Sequence, residues 1–305
     1  SHFIAEALIN GHEVIAVDNL SNSDASCVKK IKQASRKDFE FYNLDILDLD
    51  SIKDSLLAKQ IDMVVHFAAY KSVPESISNP LKYYKNNING SIALFELMKE
   101  ININKIIFSS SASVYGSSHK SPIKEDCSLH PMSPYAQSKA IIEKILEDMT
   151  RSIEGFKALN LRYFNPVGCH HTFLLGESPS NESTNLFPVL CSVASGKKDS
   201  LAIFGNDYDT HDGTPVRDYI HINDLVSGHL SALDWFEGNK PMSTINLGTG
   251  QGYSVLDIIN MFNSFLEKPV EFHFSQRRQG DPGCIYADNS LAKSELNWAS
   301  SKNLE

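Results

Sequence analysis

The sequence predicts a doubly wound α/β fold, in which helices cover both faces of a parallel sheet, followed by a smaller C-terminal lobe. Two observations indicate this fold. Short β-rich runs alternate with helical patterns through the first half of the chain, and runs such as residues 62–68 (DMVVHFA) are almost continuously apolar. A strand that is apolar on both faces belongs to a sheet covered on both sides, and the crossovers of such a sheet are right-handed.

The individual elements follow from local patterns, taken in chain order. These patterns predict strands at 13–17, 39–43, 62–68, 105–110, 157–163 and 243–247, and helices at 4–9, 51–58, 81–100 and 133–150. Glycine, proline, asparagine and serine become dense after residue 166, where the smaller lobe is expected to begin. We therefore predict a first domain over 1–165 and a lobe over 166–305, with about 219–250 returning to the first domain.

Composition argues against several classes of protein. The chain has 305 residues and a net charge of −9, whereas a nucleic-acid surface needs a basic stripe. No run approaches the roughly 20 apolar residues of a membrane span, and no signal peptide is visible. The five cysteines are scattered without a CxxC pair, which favours free thiols in a reducing compartment. We expect a cytoplasmic protein that binds neither a membrane nor nucleic acid.

Tyr135 and Lys139 lie four residues apart, on a predicted helix that Ser133 caps and Pro134 opens. This spacing places both side chains on one helical face. A phenol with a pKa of about 10 is a poor base at neutral pH, but neighbouring positive charge favours its phenolate. Because YxxxK patterns also arise by chance, an amphipathic helix with an exposed lysine is the alternative interpretation.

Ser111 gives this pattern its context. The strand at 105–110 runs into Ser109-Ser110-Ser111, one β/α step before the Tyr135 helix. Ligands of a doubly wound sheet bind beyond the carboxyl ends of the strands, so a serine there can bond the oxygen that a phenolate deprotonates. The order of strand, serine and helix predicts a proton-handling centre of Ser111, Tyr135 and Lys139.

Residues 248–252 (GTGQG) follow the strand at 243–247 and look like part of a phosphate-binding loop. They lack the full spacing of the dinucleotide fingerprint. A tight turn is therefore the favoured interpretation.

Three segments carry a family resemblance. FSSSASVYG at 108–116, SPYAQSK at 133–139 and LRYFNPVG at 161–168 resemble the extended short-chain dehydrogenase/reductase family, and within it the branch that epimerises UDP-hexoses at C4 of the sugar. Further matching segments follow in the family's order across nearly the whole chain: DNLSNS at 18–23, HFAAYKSVPES at 66–76, YYKNNINGS at 83–91, LAIFGNDYDTHDGTPVRDYIH at 201–221 and RRQGDPG at 277–283. Together these segments are specific, although no single one is.

The resemblance implies a Rossmann domain that retains NAD. Asp18 would accept hydrogen bonds from the adenosine ribose and select NAD over NADP. Tyr135 would be the base, and Lys139 would bond the nicotinamide ribose. The other residues that the resemblance places along NAD are Asn19, Leu20, Ser21, Asn22, Ser23, Asp45, Ile46, Phe67, Ala68, Ala69, Tyr70, Lys71, Asn86, Ser109 and Phe164.

The resemblance also implies a UDP-sugar pocket. Arg217 and Arg278 suit a diphosphate, because guanidinium groups match phosphate geometry, and Asp281 would take ribose hydroxyls. The other residues expected at the substrate are Lys71, Ser111, Tyr135, Asn165, Asn185, Leu186, Ala202, Ile203, Phe204 and Ile285, with 202–204 around the uracil. Ile285 stands where the family varies residue size to admit or exclude an N-acetyl group, so UDP-N-acetylglucosamine stays open as a substrate.

The implied activity is the interconversion of UDP-glucose and UDP-galactose, through oxidation at C4, rotation of the 4-keto sugar and re-reduction. The resemblance suggests a homodimer through the helices after strands four and five. A sister dehydratase or decarboxylase is one alternative, although Ser111-Ala112-Ser113 carries no carboxylate for a dehydration. The other alternative is a non-catalytic NAD-sensing or interaction fragment.

The fragment alternative arises from the two ends of the sequence. Ser1-His2 match the residues that follow the family's GxxGxxG turn, and the chain stops at Glu305, before the family's final helix. The first strand and its glycine-rich turn are therefore expected to be missing from this sequence.

Residues 169–181 (CHHTFLLGESPSN) differ from the family's small-residue, proline-rich loop. Cys169, His170 and His171 suggest zinc, but adjacent histidines are expected to point in different directions, and no fourth ligand has metal spacing. We therefore expect no metal.

Overall fold

The computed structural model describes residues 1–177, 185–278 and 280–304. Its strands are β1 (Ile15–Val17), β2 (Glu40–Tyr42), β3 (Val64–His66), β4 (Lys105–Ser111), β5 (Lys157–Tyr163), β6 (Asn165–Val167), β7 (Leu201–Phe204), β8 (Val216–Arg217), β9 (Tyr219–His221), β10 (Met242–Leu247), β11 (Tyr253–Ser254), β12 (Phe272–Ser275) and β13 (Cys284–Ile285). Its α-helices are α1 (His2–Ile9), α2 (Ser26–Ser35), α3 (Lys53–Leu57), α4 (Val73–Ser78), α5 (Pro80–Tyr83), α6 (Gly90–Glu100), α7 (Pro134–Ser152), α8 (Leu186–Ala194), α9 (Ile222–Asp234), α10 (Val255–Asn263) and α11 (Ser290–Leu296). The described residues also include 3₁₀ segments at Ile46–Ile52, Ala112–Tyr115 and Trp235–Glu237, and a π-helical segment at Tyr84–Asn89.

A four-stranded parallel sheet in the order β10-β5-β4-β3 forms the centre of the fold. Ile107 of β4 lies opposite Leu159 of β5, and Leu161 of β5 lies opposite Ile245 of β10. β1 and β2 form a separate parallel pair. The parallel, helix-covered sheet confirms the doubly wound class. β10 returns beside β5 as the sequence suggests, while the domain boundaries themselves stay a prediction.

Both faces of the central sheet are buried. Ile107 and Leu161 pack with Trp235 in one hydrophobic cluster, and Phe108 packs with Leu146 of α7 in another on the opposite face. Ile107, Leu161, Phe108 and Leu146 are each at most 1% exposed. Burial on both faces is the reason that these strands read as continuous apolar runs.

The predicted elements differ from the observed ones mainly at their ends. β5 coincides with the predicted strand at 157–163, whereas β1 and β3 are shorter than predicted. The predicted helix at 81–100 is broken by the π-helical segment. The α2 helix was not predicted, because it contains few apolar residues and buries only Ile31, Ala34 and Ser35.

The turn after β10 is held by a buried carboxylate. Asp218 accepts hydrogen bonds from the backbone N–H groups of Thr249, Gly250 and Ala287 at 2.8, 3.0 and 3.1 Å. Gly250 has a φ of +79°, which favours glycine. Two amides of the GTGQG segment are thus already used inside the protein, which agrees with the tight-turn interpretation.

The smaller lobe has a core of its own. β7 pairs in parallel with β12, and β8 lies between β11 and β13. Leu190 of α8, Ile203 of β7 and Ile259 of α10 share one cluster and are at most 1% exposed. Within the described ranges, no helix combines the length and the apolar character needed to cross a membrane.

A buried polar network fixes α7 against the sheet. Arg162 of β5 pairs with Glu143 of α7 at 2.6 Å and donates to the Tyr115 hydroxyl at 2.9 Å. The Tyr115 hydroxyl in turn donates to Asn246 of β10 at 2.7 Å. Burying these groups is tolerated because each has a partner. The network orients the helix that carries Tyr135 and Lys139.

Candidate active site

The carboxyl ends of the parallel strands open into one cavity of about 2410 Å³. The cavity also extends between the β1–β2 pair and the central sheet, where apolar residues such as Val14, Phe39 and Met98 line it. Every residue predicted at the cofactor or the substrate lines it, apart from Leu20 and Asp45. The fold therefore brings together, around one cavity, the residues of the sheet and of the lobe that were predicted from the sequence.

Asp45 has a local structural role. One carboxylate oxygen accepts from the Leu47 N–H at 2.9 Å and caps the 3₁₀ segment Ile46–Ile52. The other accepts from the Asn19 side chain at 2.8 Å. Asp45 thus holds the loop after β1 through Asn19 without lining the cavity itself. Its predicted contact with adenine stays a prediction.

Asp18 follows β1 and lines the cavity. Its carboxylate is oriented by the Leu20 N–H, which donates to it at 2.7 Å. A carboxylate at the end of this strand accepts ribose hydroxyls and repels a 2′-phosphate. This arrangement fits NAD rather than NADP.

Ser111 and Tyr135 meet at the cavity wall. Ser111 ends β4, and Tyr135 lies in the first turn of α7, which Ser133 caps by accepting from the Ala136 N–H at 3.2 Å. The Ser111 hydroxyl accepts from the Ser113 hydroxyl at 2.9 Å, and it lies beside the Tyr135 phenol, whose pKa it lowers. A strand end and a helix start therefore bring together two proton-bearing groups.

Lys139 lies one turn further along α7. Its Nζ is 6.0 Å from the centroid of the Tyr135 ring, and it donates a hydrogen bond to the Ser109 carbonyl at 2.6 Å. An ammonium has three N–H donors, so the contact with Ser109 leaves donors for the hydroxyls of a ligand. This geometry fits the predicted contact with the nicotinamide ribose.

Burial shifts the pKa of both groups. It raises the pKa of the Tyr135 phenol, and the hydrogen bond with Ser111 opposes that rise. Burial also lowers the pKa of Lys139 to about 7, against the opposing effect of the Glu143 carboxylate. Lys139 alone therefore does not make Tyr135 a base at neutral pH. The lower phenol pKa expected from the sequence depends on the positive charge of the cofactor as well.

Asn87 belongs to the site and was missed by the sequence analysis. Its fully buried side chain lies in the π-helical segment Tyr84–Asn89. Its Nδ2 donates to the Tyr70 carbonyl and to the Ser138 hydroxyl, both at 3.1 Å, and its Oδ1 accepts from the Tyr70 N–H at 2.9 Å. Asn87 thus ties the loop after β3 to α7. The adjacent asparagines of YYKNNINGS were the available signal, but no local pattern indicated a π-helix.

Two arginines lie on the lobe side of the cavity. Arg217 of β8 forms an ion pair with Asp281. The Arg278 guanidinium lies 3.9 Å from the centroid of the Phe204 ring, and burial lowers its pKa. Guanidinium groups bind phosphate oxygens in a fixed, bidentate geometry. Two of them on one wall suit the diphosphate of a nucleotide sugar.

Glu177 connects residues predicted on either side of the cavity. Its carboxylate lies 3.7 Å from the Lys71 Nζ and accepts from the Asn185 side chain at 2.9 Å. The rest of the unusual loop, up to Asn181, lies outside the described residues. Ile285 is 6% exposed and packs in a cluster with Phe164, at the side of the cavity.

The fold and the Ser111–Tyr135–Lys139 site define an NAD-dependent enzyme of the short-chain dehydrogenase type. The chain belongs to the NAD dependent epimerase/dehydratase family, whose model matches residues 1–248. The predicted family and fold are confirmed. The expected cofactor, NAD, is the one on which this family depends.

Three relatives of the chain, similar in sequence or in structure, share one activity within this family. The chain is 43% identical to the UDP-glucose 4-epimerase of Bacillus subtilis (strain 168), over 100% of this chain and 90% of the relative. It is similar, with a TM-score of 0.96 and 42% identity, to the UDP-glucose-4-epimerase from Stenotrophomonas maltophila with bound NAD and formylated UDP-arabinopyranose, over 99% of this chain and 90% of that one. It is also similar to UDP-glucose 4-epimerase from Bifidobacterium longum in complex with NAD⁺ and UDP, with a TM-score of 0.94 and 40% identity over 99% of this chain and 90% of that one.

Proposed function

We propose that this chain interconverts UDP-glucose and UDP-galactose by transient oxidation at C4 of the sugar. The observation that carries the proposal is the hydroxyl pair of Ser111 and Tyr135 beside Lys139, in one cavity with Arg217 and Arg278. Bound NAD supplies the hydride acceptor for C4 and afterwards the hydride donor. The protein residues supply proton transfer, orientation and retention of the nucleotide.

Tyr135 handles the proton of the sugar 4-oxygen. Its phenolate takes that proton as C4 is oxidised and returns it as C4 is re-reduced, so the two half-reactions balance. Ser111 lines the same cavity beside the phenol, and its hydroxyl holds the 4-oxygen within reach of proton transfer. Lys139 adds positive charge beside the phenolate.

The lobe retains the nucleotide while the sugar turns. Arg217 and Arg278 bind the diphosphate, and Phe204, which stacks against Arg278, lies at the uracil end. Because the nucleotide stays bound, the 4-keto sugar can present its other face without leaving the cavity. Re-reduction on that face inverts C4.

Product analysis tests this function. Purified protein is incubated with UDP-galactose and NAD, and the sugar region is followed by proton NMR. We expect UDP-glucose to accumulate to equilibrium. A 4-keto-6-deoxy sugar would show a dehydratase instead. Thermal stabilisation by NAD without any turnover would support the NAD-sensing alternative.

A second substrate, UDP-N-acetylglucosamine, is supported by the side chain at position 285. Ile285 lines the cavity and is smaller than an aromatic residue. We expect Ile285→Tyr to lower kcat/KM for UDP-N-acetylglucosamine and to leave that for UDP-glucose nearly unchanged. Equal losses for both substrates would contradict this role.

We also propose a cytoplasmic homodimer. The cysteines of the described chain are all free thiols, which supports a reducing compartment. Leu81 of α5 and Ile92 of α6 are 77% and 38% exposed, which supports a contact with a second copy through this helical region. These helices follow β3, whereas the resemblance suggests the helices after strands four and five. Sedimentation equilibrium at micromolar concentration tests the dimer, and a monomer mass would contradict it.

A further inference from the structure

The geometry points to a zinc site formed by Glu6, His170 and His171, which we propose as a metal centre outside the catalytic cavity. The sequence analysis argued against a metal because adjacent histidines were expected to point apart. In the structure, His170 Nε2 lies 2.8 Å and His171 Nδ1 lies 3.4 Å from the same oxygen of Glu6. The ligand atoms of all three residues lie within 4.8 Å of one another.

These distances are close to those of a metal site. Zinc bonds of about 2.0–2.1 Å at tetrahedral angles place ligand atoms roughly 3.3 Å apart. The separation between His171 and Glu6 already has this value, and that between His170 and Glu6 needs to open by about half an ångström. The ring centroids of His170 and His171 are 4.1 Å apart, with the ring planes tilted by 33°. Two imidazoles and a carboxylate form a donor set that zinc uses.

The ligands lie on elements that are held in place. The Thr172 hydroxyl lies 2.8 Å from His170 Nδ1, and the Thr172 backbone N–H donates to the same nitrogen at 3.3 Å. Binding of an ion through Nε2 moves the ring proton to Nδ1, where the Thr172 hydroxyl can accept it. The loop is closed by the His170 N–H, which donates to the Leu175 carbonyl at 2.9 Å. Leu175 is 4% exposed and packs with Ala5 of α1, the helix that carries Glu6. The site therefore needs little rearrangement to receive an ion.

A second observation comes from His2. In the part of the chain that the structure describes, its Nε2 is buried and has no hydrogen-bond partner. Its ring lies 5.9 Å from the ring of His170. His2 thus places an unpartnered imidazole nitrogen next to the group, outside the three ligand atoms that lie within 4.8 Å of one another. The His171 side chain is 59% exposed, which leaves a path for the ion from solvent.

A bound ion would stiffen the approach to the substrate side. The same loop continues to Glu177, which contacts Lys71 and Asn185. Zinc would fasten the start of this loop to α1.

Titration of the metal-free protein with Co²⁺ and Zn²⁺ tests the site. We expect one equivalent of Co²⁺ to give tetrahedral d–d absorption bands that Zn²⁺ abolishes, and Zn²⁺ to raise the Tm. His171→Ala removes an exposed ligand without disturbing the core and should weaken binding by at least about tenfold. Glu6→Gln should weaken it as well, while it retains a hydrogen-bond partner for His170.

The matched control is His211→Ala. His211 is an exposed histidine beside Asp212 and Asp257, in the second group of possible ligands among the described residues. This variant should bind as the parent protein does. Absence of the Co²⁺ bands in the parent protein, or equal affinity in the parent protein and His171→Ala, would overturn the proposal.

Discussion

Asn87 binds both polar groups of the Tyr70 backbone, donating to its carbonyl at 3.1 Å and accepting from its N–H at 2.9 Å. The same side chain donates to Ser138, the residue before Lys139 on α7. The loop predicted to cover the cofactor is therefore joined to the helix that carries the proposed base. The loop is thus held by a buried amide from a distant segment, in addition to the contact of the Ser72 N–H with the Tyr83 hydroxyl at 3.0 Å.

Replacement of Asn87 by alanine tests this link. The change leaves the Tyr70 N–H and carbonyl without their partner, at a cost of about 1–3 kcal/mol for each buried group. We expect weaker NAD binding and at least about tenfold lower kcat/KM, with the Kd for UDP nearly unchanged. Asn89→Ala, at an exposed position of the same π-helical segment, is the control. Equal weakening of NAD and UDP binding would indicate general unfolding instead.

Removal of the proposed proton path should slow turnover. Tyr135→Phe and Ser111→Ala should each lower kcat for UDP-galactose by at least about tenfold, because positioned acid–base groups contribute this much or more. NAD should still stabilise both variants in a thermal shift. Tyr253→Phe serves as the control, because the Tyr253 hydroxyl donates an exposed hydrogen bond of 2.7 Å to the Gln251 side chain in the lobe. Unchanged kcat in both variants would remove Tyr135 and Ser111 from the mechanism.

The two neighbouring arginines should differ in their effect on substrate binding. Arg278 stacks on Phe204 inside the cavity, whereas Arg277 is bound to Asp207 at 2.7 Å outside it. Arg278→Ala should raise KM for UDP-galactose by about tenfold or more, the value of one charge-assisted contact. Arg277→Ala should change KM little. Similar KM values for the two variants would show that Arg278 does not bind the diphosphate.

The buried ammonium of Lys139 should make stability depend on pH. Its pKa is about 7 in the folded protein, while the unfolded value is about 10.4. Between these values the unfolded chain binds one more proton, so the free energy of unfolding rises with pH. Compared with Lys139→Met, the parent protein should gain about 1 kcal/mol per pH unit from pH 7.5 to 9.5 in urea denaturation. A constant difference between the two proteins would contradict the shift.

The buried imidazole of His66 should act at lower pH. Burial and the charge of Lys139 lower its pKa to about 3, and its Nε2 lies 2.8 Å from the Ser91 hydroxyl. The unfolded chain takes up this proton near pH 6.5, so stability is lost as pH falls below that value. His66→Gln should lose about 1 kcal/mol per pH unit less than the parent protein between pH 6 and 4.5. His12→Gln, an exposed position, should follow the parent protein.

Local patterns predict those parts of the fold that depend on near neighbours. β5 occurs at the predicted residues because its apolar run is buried on both faces, and α7 occurs because Ser133 and Pro134 mark its start. The α2 helix was missed because its buried face is narrow. The π-helical turn at Tyr84–Asn89 was missed because no local sequence pattern distinguishes a π-turn from an α-turn, and its residues meet their partners only in the tertiary structure, as Asn87 does.

The sequence by itself determined the family, the alternation of strands and helices, and the spacing that places Tyr135 and Lys139 on one face. These features are encoded in residues a few positions apart, where helix and strand geometry decides which side chains are neighbours. Only the tertiary structure decided that Ser111 lies beside Tyr135, that Asn87 holds Tyr70, and that His170 and His171 face Glu6. Such partners come from distant segments, and their meeting depends on crossovers, core packing and the burial of polar groups that must each find a partner.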